Sequence, residues 1–180
     1  MKIKIHEEIE IPEGVHVTIE GNKIIVKGKH GENVREFKIA GIVLEKKEDK
    51  VILRCDKATK KEKRIIKTTK AHIVNMLRGV GEKFEYKLKV CFSHFPVNVE
   101  VKGKEVIIKN FLGEKIPRKA KLPEGVDIKV EKDVITIKSS NKELAGQTAA
   151  DLEKATRISL RDRRIFQDGI FITSKNGREM

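Results

Sequence analysis

The stretch ATRISLRDRRIFQDGIFITSKNG, which begins at Ala155, concentrates the residue types best suited to holding a phosphodiester chain. Arg157, Arg161, Arg163 and Arg164 fall within eight residues and make up four of the ten arginines in the chain; Phe166, Asp168, Gly169 and Lys175 follow. A guanidinium presents a planar fork of donors that meets a phosphate or a guanine edge with two parallel hydrogen bonds, whereas an ammonium acts as a point charge. Arginine at this density points to recognition and not merely to solubility. Two further basic runs are weaker signals. Residues 54–70 carry eight Lys and Arg against Asp56 and Glu62, and residues 102–121 carry seven against Glu105 and Glu114. The lysines of 57–63 read equally well as a solvated face. Phe166 and Phe171 flank a turn, and aromatics make up only 4% of the chain. Both are therefore expected in the core, with recognition running through phosphate and shape instead of single-strand reading.

Other chemistries find no support in residue spacing. His6, His16, His30, His72 and His94 form no HxH or HExxH pair, so no metal ligands are assigned and the histidines read as surface or strand-end residues. Cys55 and Cys91 lack CxxC spacing and read as buried structural thiols. No serine sits in a G-x-S-x-G elbow or beside a local base, and the carboxylates interleave with lysine, as in Glu45, Lys46, Lys47, Glu48 and Asp49. No catalytic residue, cofactor or small-molecule substrate is expected.

The whole chain shares the bias of the arginine stretch. It has 180 residues, 38% of them apolar, enough to bury a core, and a formal net charge of +13 that selects a polyanionic partner. The longest apolar runs, such as Ile24 to Val26 and Val106 to Ile108, are of strand length, and the first residues alternate charge with Ile. A membrane anchor or signal peptide is not expected, which favours the cytosol.

The elements that position the arginines repeat. VTIEGNKIIVKGKHGENVRE from Val17 aligns without gaps on VEVKGKEVIIKNFLGEKIPR from Val99, with Gly21 on Gly103, an offset of 82. EDKVILRC from Glu48 falls beside EKDVITIK from Glu131, an offset of 83. Alternation such as Val15, Val17, Ile19 against His16, Thr18, Glu20 predicts half-buried antiparallel strands, with hairpin turns at Gly21-Asn22, Gly103-Lys104, residues 46–50 and residues 131–133. A helix closes each copy. The first is predicted over 60–78 with Gly79 and Gly81 as its C-terminal cap, the second from a Ser140/Glu143 capping box onward. The fold class is α+β, a tandem duplication of a small module of antiparallel sheet plus one helix. Residues 1–82 form the N-terminal copy, and residues 83–180 form the C-terminal copy with the Arg-rich tail.

Three segments carry a resemblance: PEGVHVTI from Pro12 with PEGVDIKV from Pro123, MLRGVGEKFEYKLKVCFSHFPV from Met76, and QTAADLEKATRISLRDRRIFQDGIF from Gln147. Together they resemble the sixth protein of the large ribosomal subunit in its archaeal and eukaryotic form; the bacterial form has a KGKG-type loop where this chain has Phe166 to Gly169. The resemblance implies two sheets and a helix per copy, with the C-terminal copy as the anchor on large-subunit rRNA. It implies a place near the sarcin-ricin loop, at the rim where translational GTPases dock, beside neighbouring ribosomal proteins of the stalk base. Carried over by position, Arg157, Arg161, Arg163, Arg164, Gly169 and Lys175 are the expected RNA contacts. Lys142 joins them because a helix N-terminus favours phosphate. Asp162 and Asp168 are expected to orient arginines or shape a turn. The other reading left open is a protein-interaction adaptor with a generic basic surface.

Overall fold

The computed structural model describes residues 3–39, 41–162 and 164–180. The chain divides into two compact units, Met1–Lys83 and Phe84–Met180. In the first, β1 (Ile3–Glu10), β2 (His16–Glu20), β3 (Lys23–Gly28), β4 (Gly31–Glu36), β5 (Val43–Lys47) and β6 (Lys50–Ala58) precede helix α1 (Lys60–Gly81). They form two antiparallel sheets, ordered β1-β6-β5 and β2-β3-β4. The second unit repeats the plan with β7 (Phe84–Cys91), β8 (Asn98–Lys102), β9 (Glu105–Lys109), β10 (Arg118–Lys121), β11 (Val126–Glu131), β12 (Val134–Ser139) and α2 (Lys142–Ala155). It then adds β13 (Gly169–Lys175) and β14 (Arg178–Glu179). Its sheets run β10-β9-β8 and β11-β12-β7-β13-β14. What reads as a tail is therefore a strand laid along β7, on the edge that its counterpart β1 leaves open among the described residues.

Alternation sorts the side chains as period two requires. Ile24, Val26, Val51 and Leu53 meet Ile66, Ile73 and Val80 of α1 in a core with no solvent exposure, while Val106, Ile108, Ile135 and Ile137 meet Ala145, Ala149 and Leu152 of α2. The β2–β3, β5–β6, β8–β9 and β11–β12 hairpins each begin on a residue of positive φ, Gly21 at 60°, Glu48 at 41°, Gly103 at 59° and Lys132 at 52°, as the favoured two-residue turns between right-twisted strands require.

The repeat is less regular than a gapless alignment implies. Ile24 faces Arg35 and its equivalent Val106 faces Ala120, so the third strand sits at an offset of 85. The three extra residues enter a loop containing a short 3-10 turn, with Asn110, Leu112 and Gly113 all left-handed. In the second hairpins the offset is 84, not 83: Val51 and Leu53 match Ile135 and Ile137, all fully buried, whereas Val134 is 40% exposed. A slip of one residue sends a strand's apolar set to the wrong face, so burial decides the register.

Both helix ends differ from the sequence expectation. Thr59 caps α1 by accepting from the Lys61 N–H, and Glu62 reaches back to the Thr59 N–H and hydroxyl, so the capping box belongs to α1. In α2 the cap is Asn141, one residue after Ser140, and its side chain accepts from the Glu143 N–H at 2.9 Å. Gly79 and Gly81 do not cap α1; they lie inside it, and Glu82 closes it. The reason is tertiary, because the β3–β4 turn covers the last turn of the helix and the His30 N–H donates to the Val80 carbonyl at 3.0 Å. A Cβ on Gly28 would lie 3.0 Å from Val80 Cβ and 3.1 Å from that carbonyl. Gly28→Ala is expected to force the hairpin off the helix and cost about 1–3 kcal/mol. Urea unfolding measures this, and a midpoint equal to the parent's would show that the helix end yields freely.

Candidate nucleic-acid interface

The arginine segment is suspended between two anchored points. Helix α2 stops at Thr156, which is buried; its hydroxyl accepts the Ile170 N–H at 2.9 Å and so ties the helix end to the start of β13. Residues 157–162 and 164–167, exposed for the most part, follow this staple. Asp162 turns the loop: its backbone carbonyl accepts from Ile165 and Phe166, and its carboxylate accepts from the Arg164 backbone and guanidinium at 2.8–3.2 Å. That pairing holds the Asp162 carboxyl below its ordinary range.

Asp168 fixes the other end, with 2% of its surface exposed. Its carboxylate accepts from the Ser93 and His94 backbone N–H groups at 2.7 and 3.2 Å and pairs with His94 Nδ1 at 2.7 Å. Burial alone pushes this carboxyl up, but the two N–H donors and the imidazole outweigh it and hold the carboxyl at about 2. The His94 ring stacks on Phe166 with centroids 4.9 Å apart, and the Arg161 guanidinium lies 4.6 Å over that same ring. Asp168, His94, Phe166 and Arg161 thus form a relay of contacts from core to surface.

Arg157 is exposed at the near end of the loop, held through its backbone. Its carbonyl, like that of Ala155, accepts from Arg118, whose guanidinium also forks onto Glu114 at 2.6 and 2.8 Å and rests 4.3 Å over Phe111. Arg118 and His94 are structural supports of the site that sequence reasoning missed. Each lies far from the loop in the chain, and no local spacing marks either one.

The expected contacts do not all converge. Arg157, Arg161 and Arg164 share the loop; Arg163 lies outside the described residues. Gly169 is buried, pairs with Cys91 and lies under the Phe171 ring, so it shapes the site and offers no exposed donor. Lys142 begins α2, with its ammonium 5.8 Å over Phe84, and Lys175 ends β13 opposite Tyr86. A 14-residue helix and a seven-residue strand each span about 20 Å, which puts these two lysines at the far end of the unit from the arginines. The phenylalanines also depart from expectation: Phe171 is 37% exposed and Phe166 only half-buried, because both line an open cavity beside the loop. Cys91 is half-buried rather than enclosed, and Cys55 is buried. Among the described residues no three metal-ligating side chains cluster, and no helix is long and apolar enough to cross a membrane.

Sequence comparison covers both units. The family model described as Ribosomal protein L6 matches residues 11–83 and 95–169. A protein of Methanobrevibacter smithii named Large ribosomal subunit protein uL6 is 49% identical over 171 residues, covering 95% of this chain and 96% of the relative. Its namesake from Methanococcus vannielii is 45% identical over 174 residues, 97% of this chain and 96% of that protein. The family model finds its pattern twice, once in each structural unit, and with near full-length identity approaching one half, the chain belongs to the ribosomal protein L6 family.

Proposed function

We propose that this protein is a structural constituent of the large ribosomal subunit, in the cytosol, that grips large-subunit rRNA through its C-terminal unit and performs no catalytic step. The observation that carries this reading is the loop of exposed Arg157, Arg161 and Arg164, braced by the buried Asp168 and by Thr156. A loop held in place loses less freedom on meeting RNA, so the bracing favours binding. The names of the archaeal relatives point the same way. Lys142 at a helix N-terminus and Lys175 form a second, weaker contact about 20 Å from the loop. Arg163 belongs with the loop by sequence, and Gly169 acts by shaping it.

The finer placement follows the resemblance: near the sarcin-ricin loop, at the rim where translational GTPases dock, with neighbouring ribosomal proteins of the stalk base as further partners. The N-terminal unit lacks an arginine loop, which suits a peripheral or protein-contacting role.

Hydroxyl-radical footprinting of large-subunit rRNA with the full chain tests the reading. Two protected clusters are expected, the stronger weakening in an Arg157, Arg161, Arg164 variant and the weaker in a Lys142, Lys175 variant. Binding of an acidic protein with no protection of structured rRNA would instead establish the adaptor reading.

A further inference from the structure

Beneath the arginine loop lies a cavity of about 740 Å³, within the range of pockets that enclose a nucleotide-sized ligand. Its walls include Phe92, Ile165 and Phe171, which are 43%, 64% and 37% exposed. Glu153, Lys154, Arg157 and Asp168 line it as well. From this arrangement we infer that the cavity receives one unstacked nucleobase of the bound RNA, an inference that rests on the rRNA-binding reading above.

Three features select a base over a phosphate. The apolar and aromatic part of the lining, Phe92, Ile158, Ile165, Phe166 and Phe171, suits the π-face of a base. The cavity opens at the C-terminal end of α2, the negative end of the helix dipole, and Glu153 adds a carboxylate there. Both repel phosphate but favour the N–H edge of a cytosine, adenine or guanine. Lys154 and Arg157 of the lining, with Arg161 and Arg164 of the loop, supply cations for the phosphates on either side of an extruded nucleotide. A free nucleotide is a poorer match, since its own phosphates would have to enter with the base, and no helix N-terminus lines the cavity to receive them.

The contribution of a stacked base is largely uncharged, so it separates from that of the arginines by its salt dependence. With the full chain and a large-subunit rRNA transcript, the Phe92→Ala, Ile165→Ala double variant is expected to bind about 5- to 150-fold more weakly. The slope of log affinity against log salt should match the parent's. Phe92 is 43% and Ile165 64% exposed, so the thermal transition should shift little, and a larger shift is countered by a second variant. The chain has no tryptophan, so Phe92→Trp places a sole reporter on the cavity wall. Its fluorescence should be quenched, and shielded from acrylamide, by the transcript alone. Unchanged affinity with an unquenched tryptophan reporter, while arginine variants still weaken binding, would overturn the base pocket and leave rRNA binding standing. Quenching only after other ribosomal proteins are added would assign the cavity to a protein side chain and also overturn it. If arginine variants bind like the parent too, the rRNA reading of this loop fails first.

Discussion

Replacing Arg157, Arg161 and Arg164 together by alanine is expected to weaken binding to large-subunit rRNA at least about 100-fold at moderate salt, since each charged hydrogen-bonding contact contributes about 1.5–3 kcal/mol. It should also flatten the salt dependence by about two to three units of slope, because each phosphate neutralised releases close to one counterion. The fold should survive, as all three side chains are exposed. The three are not equivalent. Arg164 is already paired with Asp162, so its transfer to a phosphate exchanges one ion pair for another and contributes least. Arg161 rests on Phe166, and Arg157 is held only through its backbone. Filter binding across a salt series measures affinity and slope in one experiment. If both are unchanged, the loop is not the RNA-binding surface.

The second large effect is expected at Asp168, through structure instead of contact. Asp168→Ala removes the acceptor of the Ser93 and His94 N–H groups and the partner of the His94 imidazole, for an expected loss of about 3 kcal/mol. In a unit of this size that lowers the melting temperature by roughly 10–20 °C. The same residue makes a pH prediction with a definite sign. Its carboxyl lies at about 2 in the folded state, below its ordinary value of 3.8, so its contribution is fully present above about pH 4 and is lost as pH falls towards 2. The parent should therefore lose stability over that window, and the Asp168→Ala variant should have lost this part of its acid sensitivity. Thermal unfolding of both between pH 2 and 6 decides the matter; parallel curves would show that the carboxylate contributes nothing. RNA affinity should fall in the variant as well, since the loop loses its lower anchor.

These two predictions divide along a line that runs through the whole molecule. The arginine loop was legible because four arginines in eight residues are a local fact. So were the half-buried strands, the hairpins at Gly21 and Gly103, the two helices and the duplication, all of which follow from periods of two or 3.6 residues and from turns that need a positive φ. Where a feature depended on a partner distant in the chain, local pattern fell short. The capping box at Ser140 has the right letters, but the backbone places Asn141 at the cap, and the glycines that look like a helix end are overridden by the β3–β4 turn packed on Val80. The repeat is gapless in letters but carries insertions, since apolar positions match equally well until burial chooses a register.

The amino-acid sequence by itself determined the α+β duplication, the basic character and the identity of the arginine loop, because each is set by neighbouring residues and backbone sterics. Only the tertiary structure decided how that loop is used. It brought His94 to Asp168 across 74 residues, hung Arg118 beneath Arg157, laid the segment after Gly169 along β7 as a strand and left Phe92 and Phe171 open beside a cavity. It also parted Lys142 and Lys175 from the arginines they were expected to join. The physical reason is that burying Asp168 requires donors from elsewhere in the fold, and only packing brings them there.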